Sequence, residues 1–323
     1  MADCNNLFLK FLSEINIKTE CSKNLKRGRE AIKREIENYF ANKLKVGMPD
    51  FYLQGSYSLK TMVEPLNPKD EYDLDDGIYL KHTEDDISEP KAEKVSSWIF
   101  EAVEGHTKKN PENKKNCVRV IYAEGYHIDL AIYRKINGEY YLARLGEDQW
   151  VPSDARAFNN WFYERLERNE QMRSCIKYLK AWKDFSGCDL KGIHLTVLVG
   201  LNHAPVKDRD DMSLAESLTQ IITYLGEQRA IYNPVDDVDD SENLIQDWTD
   251  SKLSGALRSL DAFHDKATQA IDTDDKQQAS KIWRQAFGDR FPKDNGTKKV
   301  KVAVVASASH REFESKTKPW GKP

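Results

Sequence analysis

Several absences narrow the class of protein before any motif is considered. The sequence has no apolar run that approaches the ~20 residues of a membrane-spanning helix. Its N-terminus lacks the pattern of a secretory leader. The five cysteines form no CxxC pair, and they show no zinc-ligand spacing with the seven histidines. This use of cysteine predicts a reducing, cytoplasmic location.

An excess of positive charge is also lacking. The 49 Lys and Arg residues against 53 Asp and Glu residues give a formal net charge of -4. That balance excludes a uniformly basic protein that coats nucleic acid, although it is compatible with a local basic groove on the surface. The 14 Tyr, 12 Phe and 7 Trp residues are too many for a disordered chain, because their large apolar side chains can be buried in a hydrophobic core.

The length and the residue patterns predict an α+β protein with two lobes. At roughly 100–200 residues per domain, 323 residues correspond to two domains. We predict a mixed-sheet core with N-terminal helices over 1–154, a helical domain over 155–292 and a basic tail over 293–323. The predicted helices of the second part cover 155–185, 190–204, 212–228, 241–272 and 274–287. An acidic segment at 233–243 is turn-like.

Alternating and helical patterns place the elements of the first part. Apolar residues at helical spacing predict helices over 23–44 and 90–104. Short apolar runs predict strands at 51–54 and 72–80. Two further strands meet near Glu124, and the dipeptide Asn137-Gly138 predicts a hairpin after the second of them.

Asp73 and Asp75 lie two residues apart inside the predicted strand 72–80. Because successive strand side chains alternate between faces, both carboxylates point to the same side and Leu74 points to the other. Two like charges this close repel each other and require compensation, and Mg²⁺ prefers carboxylate oxygens. The alternative is an acidic, solvent-facing strand edge, since the spacing is common by chance.

A second motif, Gln54-Gly55-Ser56, ends the strand that precedes the aspartates. A glycine at that position lets a ligand approach the backbone, and the start of the following helix offers free N–H groups to a phosphate. The alternative is an ordinary strand-to-helix turn in which Ser56 caps the helix.

Asp129 is the third candidate, in the strand sequence HIDLAIY. Ile128, Leu130 and Ile132 alternate toward a core, which places Asp129 on the opposite face. If this strand lies beside 72–80, three carboxylates converge at one point. In isolation, Asp129 reads equally well as one exposed aspartate.

Taken together and in this order, the three motifs resemble those of the DNA polymerase β-like nucleotidyltransferase superfamily. In-line phosphoryl transfer uses two metal ions roughly 3.5–4 Å apart, for which three carboxylates are suitable ligands. A fourth feature is a basic stripe on the predicted helix 155–185, where Lys177 and Lys180 could neutralise a triphosphate. A basic stripe is also typical of a solvated helix face.

Longer stretches narrow the resemblance to the bacterial cGAS/DncV-like nucleotidyltransferases (CD-NTases). The matching segments, spread over residues 53 to 292, are LQGSYSLKT, EYDLDDGIYL, GYHIDLAIY, VPSDARAFNNWF, MRSCIKYLKAWKDF, IYNPVDDVDDSENLIQDW and IWRQAFGDRFP. The first three fit any minimal nucleotidyltransferase. The later ones are typical of the CD-NTases.

The resemblance implies a cytoplasmic, ATP-using enzyme of antiphage (CBASS) signalling that makes a cyclic di- or trinucleotide in a bilobal polymerase β-like fold. It implies two Mg²⁺ ions, with Mn²⁺ as a substitute, on Asp73, Asp75 and Asp129, and implies that Asp129 is the general base. The nucleotide-binding positions would be Gln54, Gly55, Ser56, Lys177 and Lys180. A separate effector protein activated by the product is expected, and neither duplex DNA nor a membrane is expected as a partner.

Three alternatives from other classes remain open at this point. One is an RNA-extending enzyme similar to tRNA nucleotidyltransferases or poly(A) polymerases, for which the basic loop 106–116 could hold RNA. The second is a catalytically silent nucleotide-binding or scaffold module, although such modules usually lose one acidic ligand. The third is a glycosyltransferase with an Asp-x-Asp motif, which would not have the Gly-Ser turn before it.

Overall fold

The strands of the first part join into one mixed sheet in a computed structural model, which describes residues 1–81, 90–166, 169–235 and 242–296. The strands are β1 (Asp50–Gln54), β2 (Tyr72–Tyr79), β3 (Glu112–Asn113), β4 (Val118–Tyr122), β5 (Tyr126–Ile136), β6 (Glu139–Arg144) and β7 (Gln149–Pro152). Their order is β1-β2-β5-β4-β3, and β6 and β7 continue from the carboxyl end of β5. The β2–β5 pair is parallel, whereas the neighbouring pairs are antiparallel.

Helices cover one sheet face and form the whole of the second part. They are α1 (Asn5–Ile15), α2 (Thr19–Tyr39), α3 (Gly55–Ser58), α4 (Ala92–Val103), α5 (Ala155–Leu166), α6 (Gln171–Ser186), α7 (Gly192–Asn202), α8 (Asp210–Gln228), α9 (Asp250–Asp272) and α10 (Lys276–Phe287). A single π turn, Phe40–Leu44, follows α2, and a 3₁₀ turn, Gly288–Arg290, follows α10. This architecture confirms the predicted α+β class.

The alternation of side chains in β2 and β5 separates an apolar sheet face from a polar one. Five aliphatic residues of the two strands are at most 1% exposed and pack in a cluster with α2 and α4. These residues are Leu74, Ile78, Ile128, Leu130 and Ile132. The prediction that they face a core is confirmed, and the aspartates therefore lie on the other face.

A second core fills the helical part, and α1 belongs to it. Phe8 of α1 is fully buried and makes edge contacts with a set of aromatic rings from α6, α10 and the chain just beyond α10. Those rings are Tyr178, Trp283, Phe287 and Phe291. The N-terminal helix of the chain thus packs with residues after 155, and the division at residue 154 stays a prediction.

Some predicted boundaries are wrong, and local hydrogen bonds explain why. The predicted helix 155–185 is two helices, since the Asn169 side chain accepts from the Gln171 N–H at 2.9 Å and starts α6 afresh. The predicted helix 241–272 begins only at Asp250, capped by Thr249. Residues 236–241 of the acidic segment and 297–323 of the basic tail lie outside the described residues.

The hairpin at Asn137-Gly138 is confirmed. Both residues have positive φ, 49° and 96°, as a turn that matches the twist of the flanking strands requires. As for membranes, none of the helices within the described ranges is both long and apolar enough to cross a bilayer.

The aromatic core of the helical part predicts a large effect of Phe8→Ala. The substitution leaves a cavity among rings that cannot collapse onto it, so we expect a loss of about 3–5 kcal/mol in the free energy of unfolding. Leu9→Ala is the matched control, because the neighbouring Leu9 is exposed. Urea unfolding followed by circular dichroism measures both, and equal losses in the two variants would contradict this packing account.

Candidate active site

The parallel pairing of β2 with β5 brings the three predicted carboxylates onto one face of the sheet. In the strand register Asp75 stands opposite Asp129, and Asp73 stands opposite His127. Donor atoms of Asp73, His127 and Asp129 all lie within 4.8 Å of one another. The sequence predicted that the aspartates converge if the two strands are neighbours. The strands are neighbours, and the aspartates lie on the same face.

The Gly-Ser turn lies directly against these carboxylates. β1 pairs with β2 so that Gln54 stands opposite Asp75, and the chain then turns through the single helical turn α3. Gly55 has a φ of +63°, and a Cβ at this residue would overlap with Asp75 Oδ2. Glycine is required here for both reasons, and it lets the backbone of the turn reach the acidic cluster.

Asp75 is the most perturbed of the acids. Its burial, and then the charges of Asp73 and Asp129, raise the pKa of its carboxyl to about 8. In the part of the chain that the structure describes, no Lys, Arg or His makes an ion pair with Asp75 within 4.0 Å. A buried carboxylate between two others requires a cation, and the oxygen donors present suit a hard divalent ion. The residues therefore fit a metal site.

Arg119 of β4 binds Asp129, and sequence reasoning missed it. The Arg119 Nε donates to Oδ1 and its Nη2 to Oδ2, both at 2.7 Å. This bidentate pair raises the pKa of the Arg119 guanidinium and fixes the plane of the carboxylate. No sequence signal could have found it, because the pairing depends on the register of β4 with β5.

His127 was missed as well, although its spacing from Asp129 gave a signal. Residues two apart on a strand share a face, as in the Asp73/Asp75 argument. Its Nδ1 lies 3.1 Å from Glu71 Oε2, and its Nε2 lies 3.2 Å from Asp73 Oδ1. Burial favours the neutral ring, but the interactions with Asp73 and Glu71 prevail and raise the pKa of His127.

A cleft of about 670 Å³ opens above the turn and the acids. Predicted site residues that line it are Gln54, Gly55, Ser56, Asp73, Asp75 and Lys180. Asp129 is not among the residues that line the cleft, and its carboxylate is bound by Arg119. Ser153 and Asp154, just before α5, also line the cleft, and the helical part contributes Phe158, Asn159, Ile193, Thr196 and other residues.

The structure separates the two predicted lysines. Lys180 lines the cleft, and burial followed by the charge of Lys177 lowers its pKa to about 8. Lys177 instead lines a different cavity of about 460 Å³, where its Nζ donates to Asn16 Oδ1 at 2.6 Å. Helical spacing places Lys177 and Lys180 on the same side of α6, but their side chains line different cavities.

Asn159 of α5 fixes the helical part to the segment around the Gly55-Ser56 turn. Its Nδ2 donates to the Leu53 carbonyl at 3.0 Å and lies 2.9 Å from Ser58 Oγ. The Asn159 side chain is buried, at a position on α5 that faces the protein interior. The relative position of turn and cleft wall is therefore held by direct hydrogen bonds.

Comparisons with known proteins place this site in context. Residues 49–133 match the family model described as the nucleotidyltransferase domain of DncV-like cyclic GMP-AMP synthases. A cyclic GMP-AMP synthase of Escherichia albertii is 24% identical over 84% of this chain, and the match spans 64% of that relative's length. The corresponding enzyme of Vibrio cholerae is also 24% identical, over 84% of this chain and 73% of its own.

Solved structures show the same fold. The Vibrio cholerae DncV cyclic AMP-GMP synthase, in complex with nonhydrolysable GTP, has a TM-score of 0.73 at 19% identity, covering 87% of this chain and 93% of that one. Escherichia coli DncV bound to 3'-deoxy GTP has a TM-score of 0.70 at 20% identity, covering 90% and 97%.

The raised pKa of Asp75 predicts an unusual response to Asp75→Asn. The pKa of the unfolded carboxyl lies near its ordinary value of 3.8, whereas that of the folded one is raised to about 8. Folded protein thus binds more protons between these values, and its stability falls as the pH rises through that window. In chelator at pH 9 we expect Asp75→Asn to melt about 2–4 °C above the wild type, with a smaller difference at pH 6.

The adjacent Asp76 is the matched control for this measurement. It lies on the other sheet face and accepts from Arg29 Nε at 2.7 Å, so Asp76→Asn weakens a charge-assisted hydrogen bond, and we expect this variant to melt below Asp75→Asn. Added Mg²⁺ should stabilise the wild type and have less effect on Asp75→Asn. A melting temperature of Asp75→Asn below that of the wild type at pH 9 would contradict the assignment.

Proposed function

We propose that this chain, a member of the bacterial DncV-like nucleotidyltransferases (CD-NTases) of the polymerase β-like superfamily, condenses nucleoside triphosphates into a cyclic di- or trinucleotide. The observation that carries the proposal is the register of β2 and β5, with the Gly55 turn pressed against Asp75. Together they provide a phosphate-binding turn and a metal-binding acidic cluster side by side.

Binding of a triphosphate uses the turn and one lysine. In this proposal Gln54, Gly55 and Ser56 hold the phosphates, and the Lys180 ammonium balances their charge across the cleft. Lys177, predicted for the same role, is not part of this proposal, because its Nζ lies in the other cavity against Asn16.

Asp73, Asp75 and Asp129 would hold two Mg²⁺ ions, or Mn²⁺ in their place. When bound, such ions supply charge stabilisation for the attacking and leaving oxygens of an in-line transfer. Arg119 keeps the Asp129 carboxylate in one orientation, and each of its oxygens retains a lone pair for a further ligand or proton.

The transfer step itself is a substitution at phosphorus. A ribose hydroxyl of one nucleotide forms a bond to the α-phosphorus of a second, and its proton passes to Asp129. The bond from that phosphorus to the bridging oxygen breaks, and pyrophosphate leaves. A second transfer of the same kind closes the ring of a dinucleotide, and a third closes that of a trinucleotide.

The cellular setting belongs to the proposal too. The relatives named above are cyclic GMP-AMP synthases, and ATP and GTP are bound in a DncV structure. We propose ATP as one substrate of this chain, cytoplasmic antiphage signalling as its role, and a separate effector protein as the receiver of its product. The 1–154 core and the 155–292 helical domain would form the two walls of the cleft.

Incubation with all four labelled ribonucleoside triphosphates and Mg²⁺ or Mn²⁺ tests the proposal. We expect a phosphatase-resistant cyclic product in mass spectra, and a loss of at least about 10²-fold with Asp73→Asn, since the neutral amide no longer compensates the metal charge. Asp50→Asn is the control, because Asp50 is exposed at the far end of β1 and pairs with Lys81.

Other products would contradict the proposal in distinct ways. A long polymer formed only on added RNA would establish the RNA-extending alternative. Turnover at the wild-type rate in Asp73→Asn would refute the assignment of the acidic cluster. A chain that binds triphosphates tightly but consumes none of them would be a silent nucleotide-binding module.

A further inference from the structure

Lys180 is a buried cation that lacks an anionic partner. Its side chain is 8% exposed, and among the described residues no carboxylate lies within 4.0 Å of its Nζ. Asp184, one helical turn further along α6, is paired with Lys183 at 2.9 Å instead. Burial of an uncompensated ammonium is costly, so something neutral must hold it in place.

The residue that holds it is Thr61, which contributes two oxygens. Lys180 Nζ donates to the Thr61 carbonyl at 3.2 Å and to Thr61 Oγ1 at 3.0 Å. The threonine is itself fully buried. An ammonium has three hydrogens to donate, and with two directed at Thr61 one is left for a ligand in the cleft that both residues line.

Thr61 is also bound to the phosphate turn. Its backbone N–H donates to the Ser56 carbonyl at 2.9 Å, which closes the chain segment after α3. On the far side of the lysine stands Gly192 of α7, where a Cβ would lie 3.4 Å from Lys180 Cε. The lysine stem is therefore confined between Gly192 and Thr61, and its head is fixed relative to Ser56.

We propose that Thr61 is a positioning residue for triphosphate binding, which sets the Lys180 ammonium at a fixed place relative to the Gly55-Ser56 turn. The inference rests on the proposed function, since it assumes that Lys180 and the turn bind the same triphosphate. Thr61 acts through Lys180 and does not itself need to touch the nucleotide. Pre-setting the cation avoids the entropy cost of ordering a lysine at the moment of binding.

The test is a cycle of substitutions read by binding of a nonhydrolysable ATP analogue in the presence of Mg²⁺. Thr61→Val is nearly isosteric and removes one of the two acceptors, so we expect an approximately tenfold weaker Kd. Thr61→Ser retains the hydroxyl and should restore most of the affinity. Thr223→Val, on the exposed surface of α8, is the control for the chemical change.

The combination with Lys180→Met separates positioning from general stability. If Thr61 acts only through the lysine, Thr61→Val in the Lys180→Met background should change the Kd by less than about twofold. A structural defect would instead lower affinity equally in both backgrounds, and it would also appear in the thermal unfolding of Thr61→Val. In the wild-type background the KM for ATP should rise more than kcat falls.

Each outcome decides the inference. Equal affinity of wild type and Thr61→Val, or an equal further loss in the Lys180→Met background, would overturn the role of Thr61 while leaving the proposed function intact. A wild-type chain that binds neither the ATP analogue nor nonhydrolysable analogues of the other three ribonucleoside triphosphates would refute the proposed function, and this inference with it. A loss confined to the Lys180 background, together with rescue by Thr61→Ser, would establish it.

Discussion

Mutual repulsion of carboxylates on two adjacent parallel strands is the constraint around which the site is organised. In the parallel pair, Leu74 stands opposite Ile128 and Asp75 stands opposite Asp129. Once Leu74 and Ile128 are buried in the core, the two aspartates are therefore neighbours on the other face. The neighbouring cationic side chains compensate the negative charge of the carboxylates only in part. Arg119 pairs with Asp129 and His127 lies near Asp73, but burial and the remaining negative charge raise the pKa of Asp75 to about 8.

The rest of the sheet makes that repulsion tolerable. The opposite face buries a continuous apolar cluster against α2 and α4, which fixes the register of both strands independently of the acids. Asp76, a buried acidic residue of β2 on that face, is compensated by Arg29 from α2. Asp76 on the α2 side of the sheet is therefore paired within the protein, whereas Asp75 on the cleft side is left for a ligand.

The features that could be predicted from the sequence are those that depend on local residue patterns. Alternation in YDLDDGIYL and HIDLAIY identified the core residues and the three aspartates, because the period of a strand is a local property. It could not find Arg119, whose partner is set by register across strands, nor Thr61, whose oxygens meet Lys180 across 119 positions of sequence. Lys177 was grouped with Lys180 by helical spacing, yet neighbouring segments enclose the two ammonium groups in different cavities.

The same limits explain the helix boundaries. The predicted helix 155–185 follows a periodicity that continues through Asn169, but the side chain of that asparagine accepts from the Gln171 N–H where α6 begins afresh. In α1, the aromatic residues fit a helix of either lobe, and only the packing of Phe8 against Trp283 shows which one it joins.

The most direct test of this account is a crystal structure with Mn²⁺ and a nonhydrolysable ATP analogue, in which anomalous scattering locates the metal. The account predicts an anomalous peak bound by Asp73 and Asp75, with the triphosphate between the Gly55-Ser56 turn and Lys180. A nucleotide bound outside the cleft, or a metal that leaves Asp75 without a ligand, would contradict it.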